Sequence, residues 1–142
     1  MIHGYYSTVG AIRRPFVYCS LEFPKHPTVG ASGVELLVDT GADRTILSPI
    51  DAKNMGLDVP ALDVGLRSRG IGGEVSTRVV ESTLTVQGYS TPITMHVPEV
   101  RQPIPSLVGR DFMASFALFM EERTGRVLFL DEEDLNAMNF AI

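Results

Sequence analysis

The run Leu36-Leu37-Val38-Asp39-Thr40-Gly41 places a carboxylate at the end of an apolar stretch and directly before a glycine turn. A run of that kind buries itself, and an ionised carboxylate at its end must be hydrogen-bonded, paired or protonated, so the position invites a chemical use. The plain alternative is an aspartate that bonds the backbone of its own turn, a common habit of Asp beside Gly. Two further stretches bear on the choice. Arg67-Ser68-Arg69-Gly70-Ile71-Gly72-Gly73-Glu74 is a glycine-rich tip between two strand-like runs, with a backbone able to approach a ligand closely and Ile71 as an apolar contact. Ser106-Leu107-Val108-Gly109-Arg110-Asp111 sets two apolar residues before a glycine that opens a helix, and this element can pack beneath the Asp39 turn.

Elements that could hold these three stretches are short, rich in Val, Ile, Thr and Phe, and separated by Gly or Pro, which is the pattern of a β domain. Strands are predicted over 16–23, 34–39, 44–47, 62–69, 74–87, 91–97, 117–121 and 126–130. One helix is predicted over 49–55, with Ser48 as cap, Pro49 at the first position, Asp51 at the positive end of the dipole and Gly56 as terminator. A second is predicted over 110–116, where Phe112, Met113 and Phe116 share a face. The acidic tail, 131–142, fits a final short helix or an exposed arm equally well.

The chain has 142 residues, 44% of them apolar and 20% charged, which suits one globular domain and neither disorder nor a fibrous repeat. A net charge of -5 disfavours a broad nucleic-acid surface, and no run approaches the ~18 apolar residues of a membrane span, so a soluble, cytoplasmic protein is expected. Cys19 lies in an alternating apolar run and reads as a buried, inert thiol. Other chemistries fail on spacing. An aspartate-based phosphatase needs a second Asp where Gly41 stands, a dinucleotide fingerprint needs a glycine where Val75 stands, and no Gly-Lys-Ser or Gly-Lys-Thr is present for a phosphate loop. His3, His26 and His96 stand apart from one another and from Cys19, so no metal is expected.

Taken in order, the three stretches resemble the retropepsin family, the retroviral-type aspartic proteases and their cellular and bacterial relatives. Asp39-Thr40-Gly41-Ala42-Asp43 is similar to the family's active-site signature, Gly70-Ile71-Gly72-Gly73 to its flap tip, and Leu107-Val108-Gly109-Arg110-Asp111 to its apolar-apolar-Gly-Arg element. The resemblance implies a single domain over 1–142, with a motif-bearing core of about 14–130: a mostly β, single-lobe acid-protease barrel with one or two short helices, working as an obligate two-fold homodimer. It implies that Asp39 is the catalytic carboxylate, that Thr40 bonds across the two-fold axis, and that Gly41 leaves space for substrate. Ala42, Asp43, Gly70, Ile71 and Gly72 would touch the substrate, with Asp43 also pairing with Arg110. Leu107, Val108, Gly109 and Arg110 would support the site.

Only one Asp-Thr-Gly occurs, so a second copy of the chain must supply the second carboxylate. Two carboxyls about 3 Å apart cannot both ionise easily, and the pair shares a proton. One then takes a proton from water attacking the scissile carbonyl while the other donates to the carbonyl oxygen. The implied partners are the second copy and a peptide or protein substrate, with no cofactor, metal, nucleic acid or membrane. Arg69 and Glu74 depart from the viral flap pattern, and Arg67, Arg69 and Arg78 read as a solvated hairpin face in preference to a receptor for acidic peptides. The chain also continues past 116, through a turn at Thr124-Gly125, beyond where viral members end. A dimeric peptide-binding or scaffolding domain without turnover is the alternative reading.

Overall fold

Val17, Cys19 and Leu21 are buried while Tyr18 and Glu22 between and beyond them face outward, so this strand must press one side into a core. The structure, a computed structural model that describes residues 1–70 and 73–140, wraps a sheet around that side. Its strands are β1 (Ile2–Val9), β2 (Ile12–Glu22), β3 (Gly30–Val38), β4 (Asp63–Val64), β5 (Ser68–Gly70), β6 (Gly73–Val75), β7 (Thr77–Val86), β8 (Tyr89–Pro98), β9 (Leu107–Val108), β10 (Ala117–Glu121) and β11 (Arg126–Leu130). Among the described residues the α-helices are short, α1 (Pro49–Met55), α2 (Arg110–Met113) and α3 (Glu132–Ala137), with one 3-10 turn at Val59–Ala61. The chain is therefore mostly β, as its composition of short β-branched runs implies.

The main sheet runs β10-β11-β1-β2-β3-β9, antiparallel except for the parallel pair β3–β9. β2 is the hinge of the layout. Its register shifts between Cys19 and Leu21, and beyond that irregularity Ser20–Glu22 also pair with β7, which pairs in turn with β8 and β4. Such a shift bends a strand and lets it serve two neighbours, so the sheet curls over its own core. Leu36, Leu47, Leu84, Met95, Val97, Val108 and Phe129 are fully enclosed there. Each is worth roughly 1.5–3 kcal/mol of burial. The Cys19 thiol lies in this core, where burial pushes its pKa up to about 12, so it stays protonated.

The α1 expectation holds to the residue: Ser48 Oγ accepts from the Asp51 N–H at 3.1 Å, and Gly56 ends the helix at φ 96°. Elsewhere the structure corrects the reading. β1 was not foreseen, because Tyr5 and Tyr6 put aromatic rings on both faces and hide the alternation. Residues 44–47 form no strand; only Ile46 bridges, to His96 and to Leu107, since the Thr45 N–H is taken by a side chain. The run 62–69 keeps only β4 and the start of β5, and 74–87 is split at Ser76, whose carbonyl accepts from the Glu99 N–H at 2.8 Å. The second helix stops at Met113, and the chain tightens through three-residue turns that bring Phe116 onto the core beside Phe112 and Phe129. The tail takes the first of its two open readings and begins as α3, capped by Asp131 and Asp134 reciprocally.

Candidate active site

β3 ends at Val38, and the next residue, half-buried Asp39, meets a turn that its own carboxylate helps to close. Asp39 Oδ1 accepts from the Gly41 N–H at 2.9 Å, and the Asp39 carbonyl accepts from the Ala42 N–H at 3.2 Å. A Cβ at Gly41 would lie 3.3 Å from that Oδ1, which leaves little room for a side chain. The aspartate thus does bond its own turn, as the plainer reading held. That bond engages Oδ1 alone, and Oδ2 has no donor among the described residues. Thr40 and Gly41 are exposed beside it, Ala42 half-buried and Asp43 exposed.

The turn is fixed from below by the segment that follows residue 106. The Leu37 N–H donates to the Ser106 carbonyl at 2.9 Å, and the Asp39 N–H to the Val108 carbonyl at 3.2 Å. β9 thereby lies parallel to β3, with Leu37 opposite Leu107 and Val38 opposite Val108. Next, the Arg110 N–H donates to the Ala42 carbonyl at 2.9 Å and the Asp111 N–H to the Asp43 carbonyl at 3.2 Å. The first turn of α2 is therefore bonded to the far side of the Asp39 loop. Gly109 is where the two segments touch. A Cβ there would lie 2.5 Å from the Arg44 carbonyl oxygen and 2.9 Å from the Arg44 nitrogen, so only glycine fits without moving backbone.

The Asp43 and Arg110 side chains form an ion pair, as expected, but both are well exposed, at 75% and 62%. An exposed pair of this kind contributes about 0–1 kcal/mol. The firmer clamp is one the sequence reading passed over. Thr45 is fully buried, and its N–H and Oγ1 donate to the two oxygens of Asp111 at 2.9 and 2.7 Å, while Oγ1 accepts from the Gly109 N–H at 3.2 Å. A lone hydroxyl inside the run Arg44-Thr45-Ile46-Leu47 was its signal, because a buried hydroxyl must find partners.

β5 and β6 form a separate two-stranded ribbon, with Arg69 opposite Glu74 and Gly70 opposite Gly73. Ile71 and Gly72 lie outside the described residues. A cleft of about 460 Å³ opens between the turn and the approach to this ribbon, lined by Gly41, Ala42, Asp43, Arg44, Ile46, Leu66 and Arg67. A larger cleft, about 800 Å³, sits at the far end of β2 and the start of β3, where Glu22 is the only acid or base in its lining. Size alone does not make a site. The smaller cleft adjoins a carboxylate with one open oxygen, and that carboxylate is held by a two-segment hydrogen-bond frame. Such a group can accept a proton from water or share one with a second acid brought to it.

Residues 28–112 match the family described as aspartyl protease, more than half of the chain. Among solved structures, EIAV protease complexed with the inhibitor HBY-793 is similar at 21% identity and a TM-score of 0.57, over 76% of this chain and 92% of that one. A retropepsin-like aspartic protease from Rickettsia conorii is similar at 18% identity and a TM-score of 0.59, over 79% of this chain and 86% of that one. At these identities the likeness is one of fold. No curated protein sequence matches the chain.

Proposed function

The chain belongs to the aspartyl protease family, and from that premise we propose that it is an aspartic endopeptidase that works as a homodimer, with Asp39 of each copy supplying one of two catalytic carboxylates. The observation that carries this reading is the open Oδ2 of Asp39 on a rigidly framed turn, in a chain with a single Asp-Thr-Gly. One carboxylate cannot act as acid and base at once on the same bond. A two-fold axis beside the turn brings the identical group from a second copy and doubles the site without a second motif.

In the pair, mutual repulsion favours the state with one proton shared between two carboxyls. The ionised member takes a proton from water as that water attacks the scissile carbonyl, and the protonated member donates to the carbonyl oxygen. Asp39 Oδ1, engaged by the Gly41 N–H, is the oriented oxygen, and Oδ2 is the one that shares the proton. Thr40, exposed at the turn, would bond across the axis, and Gly41 would leave the approach to the carboxylates free of a side chain. Ala42 and Asp43 would hold the substrate backbone along the cleft. The β5–β6 ribbon would act as a flap closing on the peptide and excluding water, and Gly70, Ile71 and Gly72 would be the residues that touch the substrate there.

A dimeric site makes activity depend on association. Specific activity against a quenched fluorescent peptide is expected to fall on dilution, following the fraction of paired chains measured by analytical ultracentrifugation. Constant specific activity across a range in which the chains are monomeric would remove the shared site. Peptide binding without any turnover between pH 4 and 8 would favour the scaffolding alternative.

A further inference from the structure

Arg44 follows directly on the Asp39 turn and lines the adjoining cleft together with Ile46, Leu66 and Arg67. Its backbone is fixed from two sides: its amide and carbonyl lie against Gly109, and its neighbour Thr45 is clamped by Asp111. The other charges in the lining are matched. Asp43 pairs with Arg110, and Arg67 pairs with Glu74 at 3.3 Å. Arg44 makes no ion pair among the described residues. Its charge reaches His96, whose pKa is lowered by burial first and by Arg44 second.

An unmatched cation on a fixed backbone, beside apolar walls from Ile46 and Leu66, has the makeup of a receptor for a carboxylate on a short aliphatic stem. We propose that this cleft selects an acidic side chain, Asp or Glu, from the peptide substrate, with Arg44 as the specificity-determining residue; the proposal rests on the peptide-binding site described above. A peptide lying extended sends alternate side chains to opposite sides, so one cleft reads one position. A two-fold pair carries two copies of the cleft, so the preference falls at one position on each side of the scissile bond.

The test is fluorescence anisotropy with the full chain carrying Asp39→Asn, so that peptides bind without being consumed. The probes are labelled decapeptides, degenerate except at one position, where Glu, Gln or Lys is placed in turn. Glu is expected to bind about fivefold more tightly than Gln at one position on each side of the centre, and the difference shrinks as salt is added. Arg44→Ala removes the difference between Glu and Gln, and Arg44→Glu turns the preference towards Lys. Equal binding of Glu and Gln at every position, or an acidic preference that survives Arg44→Ala, overturns the proposal, as does the absence of any peptide binding. Selective binding by this variant, alongside no cleavage by the unmutated chain, upholds the role of Arg44 while sinking the peptidase reading.

Discussion

Asp39→Asn is expected to lower peptide cleavage by roughly 10³- to 10⁴-fold or more, because general acid and general base action are each worth about 10²- to 10⁴-fold and the change strikes both copies in the pair. The substitution is nearly the same shape, and the amide oxygen still accepts from the Gly41 N–H that Oδ1 holds now at 2.9 Å. The turn therefore keeps its geometry, and thermal unfolding is expected to stay close to that of the parent chain. Association is expected to be unchanged, since the amide can hydrogen-bond to its neighbour where the two carboxyls share a proton. What the amide cannot do is take up a proton from water at neutral pH. Undiminished cleavage by the variant, measured with the same quenched peptide, would place the chemistry elsewhere.

Gly109→Ala is expected to damage both stability and activity, although the residue carries no side chain and touches no substrate. Its new Cβ would meet the Arg44 oxygen at 2.5 Å, carbon at 2.6 Å and nitrogen at 2.9 Å, all backbone atoms that cannot rotate away. Either the Asp39 loop lifts or the Gly109 segment backs off. Both responses stretch the bonds from the Gly109 N–H to Thr45 Oγ1 and from the Arg110 N–H to the Ala42 carbonyl. Overpacking of this kind costs about 1–3 kcal/mol, and lost buried hydrogen bonds add to it. A lower midpoint in urea with an unchanged slope, together with cleavage reduced more than tenfold in the remaining folded protein, is the expected pair of results. A parental midpoint would mean that the two segments are not in the contact described.

How far this site could be read from the chain depends on whether its cause is local. The α1 boundaries follow from Ser48, Pro49 and Gly56 themselves, and the structure reproduces them. The turn at Asp39 is also local, an acid and a glycine two residues apart. By contrast, β9 is two residues long and exists because β3, some seventy positions earlier in the chain, and Ile46 lie beside it. The failure of 44–47 to form a strand has the same origin: its β-branched residues favour one, but Asp111 takes the Thr45 N–H that a neighbouring strand would need. β1 escaped because its two faces are both part aromatic, Tyr5 stacking on Tyr18 and Phe16 on one side while Tyr6 packs on the core from the other. The unmatched charge of Arg44 was likewise invisible, since it depends on which carboxylates the fold brings near it.

The central claim is that one catalytic centre is built from two chains, and subunit mixing measures that directly. Equal amounts of unmutated and Asp39→Asn chains are unfolded together, refolded, and assayed at fixed total concentration. If only pairs with two carboxylates cleave, activity is expected at about one quarter of that of the unmutated protein, the statistical share of such pairs in a two-fold assembly. A value of about one half would mean that each chain works with its own Asp39, and would contradict the account.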